Sequence, residues 1–245
     1  SGAVVTSCYE TLVESHAPDA PWGQFDERTP AGLCYTSGTT GHPKGVLYTH
    51  RSNYLHTYMQ LQADCCGYQQ RDVILPVVPM FHANGWGLPF AAPAVGASLI
   101  LPGRHTDGAS LAHLIRDAGA TVAAGVPTVW LGLIEHLEQA GGRVPSLKRI
   151  IVGGAPMGEQ LMERIESQLG AIVQTSWGMT ELTPLGAIAP AGLARREAAS
   201  AGRGAIGLDL LLKDGTAFTL LDLRPSTPFY RNDVAATPPD RKSVV

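Results

Sequence analysis

Three short apolar runs follow one another between residues 121 and 177: TVAAGV (121–126), LKRIIVGG (147–154) and AIVQTSW (171–177). Each run has the length and the β-branched content that are typical of a buried strand. The residues between the runs place apolar side chains at helical spacing, as Leu161, Ile165 and Leu169 do. Strands that alternate with helices of this length predict an α/β fold, in which a mostly parallel sheet is flanked by helices.

Small and polar residues follow the ends of these predicted strands. The strand ends read GVPT (125–128), GGAP (153–156) and SWGMTE (176–181). Ligands of open α/β sheets bind outside the carboxyl ends of the strands, and small residues there let a ligand approach the backbone. We therefore expect the binding site at these loops.

A loop rich in glycine and hydroxyl groups lies between two further predicted strands, 31–36 and 45–49. It reads YTSGTTGHPKG (35–45). Its glycines leave backbone N–H groups free to bind phosphate oxygens, and Lys44 supplies a positive charge. It is not a Walker A loop, because Pro43 precedes Lys44 and a strand follows. The alternative is a polar hairpin loop without a ligand.

The segment after this loop predicts a helix through residues 54–62. Ser52 or Asn53 can serve as its N-cap, because their side-chain oxygens accept hydrogen bonds from free N–H groups.

The composition excludes several classes of partner. The chain has 245 residues, 44% of them apolar, with 18 Lys+Arg against 21 Asp+Glu and a formal net charge of −3. Nucleic acids and anionic membranes attract clustered positive charge, so neither is expected as a partner. The uncharged run 73–103 holds five prolines, which argue against a membrane-spanning helix. The four cysteines have no metal-site spacing. A cytoplasmic protein with free thiols is expected.

Four motifs together resemble one known family. The run 35–45 resembles the phosphate-binding signature of the acyl-adenylate-forming (AMP-binding) superfamily, which includes acyl-CoA synthetases, luciferases and peptide-synthetase adenylation domains. VPMFHANGWGLPF (78–90) resembles its aromatic segment beside the acyl site. Residues 153–156 and 176–181 resemble its adenine-binding and magnesium-binding segments. The resemblance covers roughly 9–185, part of the large N-terminal domain of the adenylate-forming fold, and is strongest to medium-chain and long-chain fatty acyl-CoA synthetases.

The resemblance implies nucleotide-binding roles along all of these motifs. The β- and γ-phosphates of ATP would be held by Thr36, Ser37, Gly38, Thr39, Thr40, Gly41 and Lys44. The adenine would lie along Gly153, Gly154, Ala155 and Pro156, beside Trp177, Gly178 and Met179. Trp177 stands where the family commonly has Tyr, and either ring can stack on adenine.

The resemblance also implies catalytic and substrate-binding roles. Besides Lys44, His82 would lie between the α-phosphate and the incoming carboxylate, and Thr180 would bond the α-phosphate. Glu181 would ligate Mg²⁺, which prefers hard oxygen ligands, and Trp86 would gate the acyl tunnel. From the residues alone, His82 and Trp86 can also be packed core side chains, and Glu181 is an ordinary residue for a first helical turn.

The division of the chain follows from the extent of the resemblance. Residues 1–190 would be a partial N-terminal AMP-binding domain. Residues 191–245 would be a degenerate or truncated continuation without the family's C-terminal domain. Asp233 falls at the ribose-binding position of a faint motif, although it lies only 52 residues after Glu181, a shorter spacing than the family usually has.

The resemblance implies an ATP-dependent acid–CoA ligase. Such an enzyme activates a fatty or other apolar carboxylic acid to acyl-AMP and then forms a thioester with CoA, using ATP, Mg²⁺ and CoA. As a fragment, this chain alone would be inactive or impaired, and the full-length protein would form a homodimer. Two alternatives stay open: a fatty acyl-AMP ligase without CoA transfer, and a non-catalytic remnant that binds a nucleotide or an acyl group.

Overall fold

A computed structural model gives the structure of residues 8–19, 23–36, 43–192, 198, 200–204, 210–211 and 217–218. Six of the predicted site residues lie outside these described residues: Ser37, Gly38, Thr39, Thr40, Gly41 and Asp233.

Strands and helices alternate through most of the chain. The strands are β1 (Pro30–Thr36), β2 (Lys44–Thr49), β3 (Val73–Val77), β4 (Ser98–Leu99), β5 (Val122–Gly125), β6 (Arg149–Val152), β7 (Ile172–Gly178), β8 (Leu185–Ile188), β9 (Arg203–Gly204), β10 (Leu210–Leu211) and β11 (Ala217–Phe218). The helices are α1 (Tyr9–Glu14), α2 (His50–Leu61), α3 (Ala83–Trp86), α4 (Leu88–Ala94), α5 (Gly108–Ala118), α6 (Pro127–Ala140) and α7 (Glu159–Leu169), with a 3₁₀ turn at Thr180–Leu182.

The main sheet has seven strands in the order β4-β3-β5-β6-β7-β8-β9. The strands from β4 to β7 are parallel, whereas β8 and β9 add to the sheet in antiparallel pairs. The connection from β7 to β8 is too short for the crossover that a parallel pair needs, so the chain turns back on itself. The α/β prediction is confirmed, and the sheet is mixed at one edge.

Both faces of the sheet are covered by helices. Alternate side chains of each strand point to opposite faces. Thus Leu75 and Ile150 pack in one core with α5, α6 and α7, while Ile74 and Ile151 pack in a second core with α2 and α4. The second core contains the cavity described below.

A separate antiparallel hairpin, β1–β2, lies outside the main sheet. Its buried side chains include Cys34 and Tyr48. The helix α2 follows directly and begins earlier than predicted. Its N-cap is Thr49, whose side chain accepts from the backbone N–H of Ser52 while the Ser52 hydroxyl bonds the backbone of Thr49. The predicted cap Ser52 is therefore the third helical residue, the partner in a capping box.

The uncharged run 73–103 is divided among β3, α3, α4 and β4. Across the described part of the chain, no helix is both long enough and apolar enough to cross a membrane. All four cysteines are free thiols.

Candidate functional site

A cavity of about 330 Å³ opens at the carboxyl ends of β6 and β7. It gathers residues from all four predicted motifs: Thr36, His82, Trp86, Gly153, Gly154, Trp177, Gly178, Met179, Thr180 and Glu181. A neighbouring cavity of about 310 Å³ shares Gly154, Trp177 and Gly178 and adds Ala155 and Pro156. Segments that are distant in sequence thus meet where the sheet topology predicts a ligand site.

Lys44 is exposed and does not line either cavity. It is the first residue of β2 and pairs with Thr36 in the hairpin register. Residues directly opposite each other in an antiparallel pair project from the same face. Since Thr36 lines the cavity, the Lys44 side chain lies on the face of the hairpin that borders it.

The turn that carries Thr180 and Glu181 is held from two sides. The Tyr48 hydroxyl donates to the Thr180 carbonyl at 2.6 Å, and the Met179 N–H donates to the Pro184 carbonyl at 2.9 Å. Burial raises the pKa of Tyr48, so its hydroxyl stays protonated and able to donate. Sequence reasoning missed Tyr48, because its partner is 132 positions away.

Glu181 is exposed at the rim of the cavity, next to Thr180. Within the described ranges, no three His, Cys, Asp or Glu side chains cluster as a metal site. A Mg²⁺ ion here would take one carboxylate from Glu181 and its other ligands from phosphate and water. Mg²⁺ is often bound in this way beside phosphates, so the donor set fits the predicted cation.

Gly153 leaves no room for a side chain. A Cβ at this position would lie 2.8 Å from Ser176 Oγ and 3.3 Å from Trp86 Cη2. Gly154 has a φ of +78°, which an L side chain rarely adopts. The two glycines let the Trp86 indole lie directly against the backbone that follows β6.

Trp177 is packed against β8. A Cβ at Gly186 would lie 2.6 Å from Trp177 Cζ3, so the indole rests on a bare backbone. Trp177 lines both cavities, so its indole is a candidate stacking platform for a flat heterocycle.

The turn from Ala83 to Gly87, which directly follows His82, is left-handed. Ala83, Asn84 and Trp86 have φ values of 41°, 48° and 58°. This conformation costs about 1–2 kcal/mol for each residue that is not glycine. Residues held in such conformations cluster at active sites, and this turn places the exposed His82 at one end and the half-buried Trp86 at the other.

Two side chains hold this turn in place. The Cys34 thiol donates to Asn84 Oδ1 at 3.2 Å, and Gln60 Nε2 donates to the Trp86 carbonyl at 2.9 Å. Within the described structure, the other amide atom of Gln60, Oε1, is buried without a hydrogen-bond partner. Sequence reasoning missed both of these supporting residues.

His56 lies one helical turn before Gln60 on α2 and is buried. Its Nε2 accepts from the backbone N–H of Leu185 at 3.1 Å, so the neutral ring carries its hydrogen on Nδ1. Burial lowers the pKa of His56 to about 4. In the sequence, these two buried residues are marked only by their spacing: His56 and Gln60 are four positions apart and so lie on one face of the predicted helix.

Comparison with known proteins identifies this arrangement. The chain matches the family model described as AMP-binding enzyme over residues 4–218. The chain belongs to this family. The resemblance drawn from the motifs is therefore confirmed.

Relatives of this AMP-binding protein are acid–CoA ligases. It is 46% identical over 178 residues to a 3-methylmercaptopropionyl-CoA ligase of Ruegeria lacuscaerulensis. It is 47% identical over 178 residues to a medium-chain-fatty-acid–CoA ligase of Ectopseudomonas oleovorans. Each match covers 73% of this chain and 33% of the relative. The aligned part of the chain thus spans about a third of the length of these relatives.

A solved structure of a CoA synthetase shares the fold. It is the O-succinylbenzoate Coenzyme A synthetase of Bacillus subtilis, in complex with ATP and a magnesium ion. It has a TM-score of 0.71 and 25% identity, over 85% of this chain and 43% of that one.

Proposed function

We propose that this AMP-binding chain supplies the ATP-binding and acid-binding part of an AMP-forming acid–CoA ligase. One observation carries the proposal: a single cavity is lined by residues of all four motifs and is polar and exposed at one end but apolar and buried at the other. Such a cavity suits a substrate that joins a phosphate to a hydrocarbon. The names of both relatives, which are acid–CoA ligases, support the same activity.

In the proposed first step, a carboxylate oxygen of the acid attacks the α-phosphorus of ATP. The bond from the α-phosphorus to the oxygen that bridges to the β-phosphate breaks, and pyrophosphate leaves. Thr36 and Lys44 bind the β- and γ-phosphates and stabilise the departing charge, and Thr180 bonds the α-phosphate. His82, an exposed residue in the same cavity lining as Thr180, orients the attacking carboxylate.

In the proposed second step, the sulfur of CoA attacks the acyl carbonyl carbon and the thiol proton is lost. The bond from that carbon to the phosphate oxygen breaks and releases AMP. Trp177 stacks on the adenine in both steps, and the backbone of Gly153 and Gly154 lies along the ring edge. A side chain at position 153 would clash with Ser176 Oγ. Substitution of Gly153 should therefore displace the backbone or the side chains that line the adenine site.

Glu181 holds Mg²⁺ in this proposal. A bound Mg²⁺ would supply positive charge next to the phosphates, and Glu181 is the residue that would hold it. The support is the exposed carboxylate beside Thr180 and the related synthetase that binds ATP with a magnesium ion. The division of the chain at residue 190 stays a prediction.

The test is exchange of labelled pyrophosphate into ATP by the full-length protein that contains this chain. Exchange that requires both Mg²⁺ and a carboxylic acid supports adenylation. Release of an acyl-CoA thioester separates a CoA ligase from an acyl-AMP ligase. Nucleotide binding measured by calorimetry, without exchange for any acid tried, would instead identify a non-catalytic binding protein.

A further inference from the structure

The inner part of the cavity runs down the sheet face that α2 and α4 cover. From Gly153 its lining passes Ile151 and Ala124, which are paired across β5 and β6, and reaches Cys66 and Tyr68. These four side chains below Gly153 are all buried, none more than 4% exposed. The cavity therefore has a closed inner end, which we define as Cys66 and Tyr68.

The closed end lies towards the amino ends of the strands, whereas the loops that carry the motifs lie at their carboxyl ends. Arg149, the first residue of β6, donates to the Cys66 carbonyl and pairs with Asp72 at 3.3 Å. Gln174 Nε2 donates to the Cys65 carbonyl at 3.2 Å. These bonds from two strands hold the turn after α2 in place, so the inner end is a rigid wall.

The wall and its surroundings are mostly apolar, and Gln60 Oε1, unpartnered among the described residues, belongs to the same cavity lining. The Tyr68 and Cys66 side chains are both buried, at 4% and 2% exposure. Leu88 and Ile151 complete the lining at this depth, and both are buried. A mostly apolar, buried surface of this kind favours an apolar chain end, because a polar group there would lose its hydrogen bonds to water.

The depth of the cavity follows from strand geometry. Gly153 directly follows β6 and marks the upper level of the cavity, and Arg149, whose side chain bonds the wall, lies four residues earlier at the start of β6. A strand rises about 3.3 Å per residue, so Ile151 and its partner Gln174 lie about 7 Å below Gly153, and Arg149 lies roughly 13 Å below it. The wall is bonded from both levels, so about 13 Å is the greatest depth of the cavity. An extended hydrocarbon advances about 1.3 Å per carbon, given bonds of about 1.5 Å at tetrahedral angles.

We propose that the site takes apolar acids of medium chain length, up to about ten carbons by this geometry, with the methyl end against Cys66 and Tyr68. This inference rests on the proposed function, because it takes the acid to bind with its carboxylate at His82. It names Cys66 and Tyr68 as the residues that set the upper limit of chain length.

The test uses saturated acids from butanoate to hexadecanoate, with kcat/KM for pyrophosphate exchange measured in the full-length protein. We expect kcat/KM to rise as far as octanoate or decanoate and to fall at least tenfold by hexadecanoate. Tyr68→Ala opens the wall and moves the optimum to longer acids. Cys66→Leu fills the end and moves it to shorter ones.

Cys65→Leu is the matched control. Cys65 is the adjacent buried thiol, but it does not line the cavity, so its substitution should leave the optimum where it was. Ala124→Leu is a second variant, at about half the depth of the cavity. It should move the optimum to butanoate or hexanoate, and it keeps the test decisive if the Tyr68 variant does not fold.

The outcomes separate this inference from the proposed function. Exchange without a chain-length limit, or a limit that none of the folded Tyr68, Cys66 and Ala124 variants moves, overturns the inference and leaves the ligase proposal intact. If no acid supports exchange, calorimetric binding of the same acids decides. A limit near decanoate that the variants move supports the pocket, and binding without such a limit overturns it.

Discussion

The two ends of the cavity are built in different ways. The mouth, which we define as Thr36, His82, Thr180 and Glu181, comes from turns and strand ends, and its side chains are half-buried or exposed. The inner end, Cys66 and Tyr68, is buried and tied to the sheet by Arg149 and Gln174. Chemistry with phosphate demands particular residue types at the mouth, whereas the inner end has only to be apolar and of the right size. Substitutions at the mouth should therefore affect ATP, and substitutions deeper in the cavity should affect the choice of acid.

The largest effect is expected for Lys44→Ala. Lys44 is exposed on the hairpin face that borders the mouth, so its charge contributes to catalysis and little to packing. Removing a group that stabilises transition-state charge costs about 10²–10³-fold in rate. We expect kcat/KM for ATP to fall by this amount in the full-length protein while Tm is unchanged. Lys148→Ala is the control, because Lys148 is an exposed lysine just before β6. Unchanged ATP kinetics in Lys44→Ala would contradict the assignment.

Glu181→Gln should have the next largest effect. The substitution keeps the shape of the side chain and removes its charge, so a magnesium ligand is weakened. We expect adenylation to fall about tenfold to a hundredfold, in line with the loss of a charge-stabilising contact, and to recover partly at raised Mg²⁺. The exposed Glu159 at the start of α7 provides the control variant Glu159→Gln. Loss of activity with an unaltered magnesium dependence would assign Glu181 a structural role instead.

Trp86 lies between the mouth and the inner end of the cavity. Its substitution tests whether the selection of acids by chain length already begins at this level. Its indole rests against Gly153, at the upper level of the inner cavity. Trp86→Ala should change the ratio of kcat/KM between acids of different length. The expected change corresponds to about 1–3 kcal/mol in transition-state free energy, the amount by which a fitted pocket discriminates one methylene.

The control for this prediction is Trp130→Ala. Trp130 is fully buried, and loss of a core tryptophan should lower the free energy of unfolding by about 3–5 kcal/mol. Urea unfolding together with acid kinetics separates the two roles. If Trp86→Ala behaves as Trp130→Ala does, with a large loss of stability and an unaltered chain-length profile, the indole is a core residue and not a gate.

The same contrast explains what the sequence could predict. The strands β5, β6 and β7 and the helices between them were predicted because each buries a regular apolar pattern. The motifs of the mouth were recognisable because phosphate binding constrains glycines, hydroxyls and one lysine. The antiparallel β8 was not predicted, because no local pattern marks a strand that forms after so short a turn.

The supporting residues could not be predicted for a different reason. Tyr48, His56 and Gln60 act through hydrogen bonds to backbone groups that are 26 to 132 positions away. Such bonds depend on the tertiary structure and leave no periodic signal. The left-handed conformation of Ala83 and Trp86 is equally hidden, since glycine and asparagine are the residues that ordinarily mark a positive φ.

The smallest effect that we predict concerns His56 and pH. The pKa of His56 in the folded protein is about 4, below its ordinary value of 6.5. The unfolded chain therefore binds the proton more readily, and the free energy of unfolding decreases as pH falls from 6.5 towards 4. The protonated ring would also lose its bond from the Leu185 N–H, because Nε2 could no longer accept. At pH 5 the expected loss of stability is roughly 1–2 kcal/mol relative to pH 7.

His56→Gln removes the titrating ring but keeps an acceptor, so the free energy of unfolding of this variant should vary less between pH 7 and pH 5. His105→Gln is the matched control substitution, at an exposed histidine. Urea unfolding of the three proteins at both pH values tests this, and an equal loss of stability in all three would show that His56 is not the titrating group.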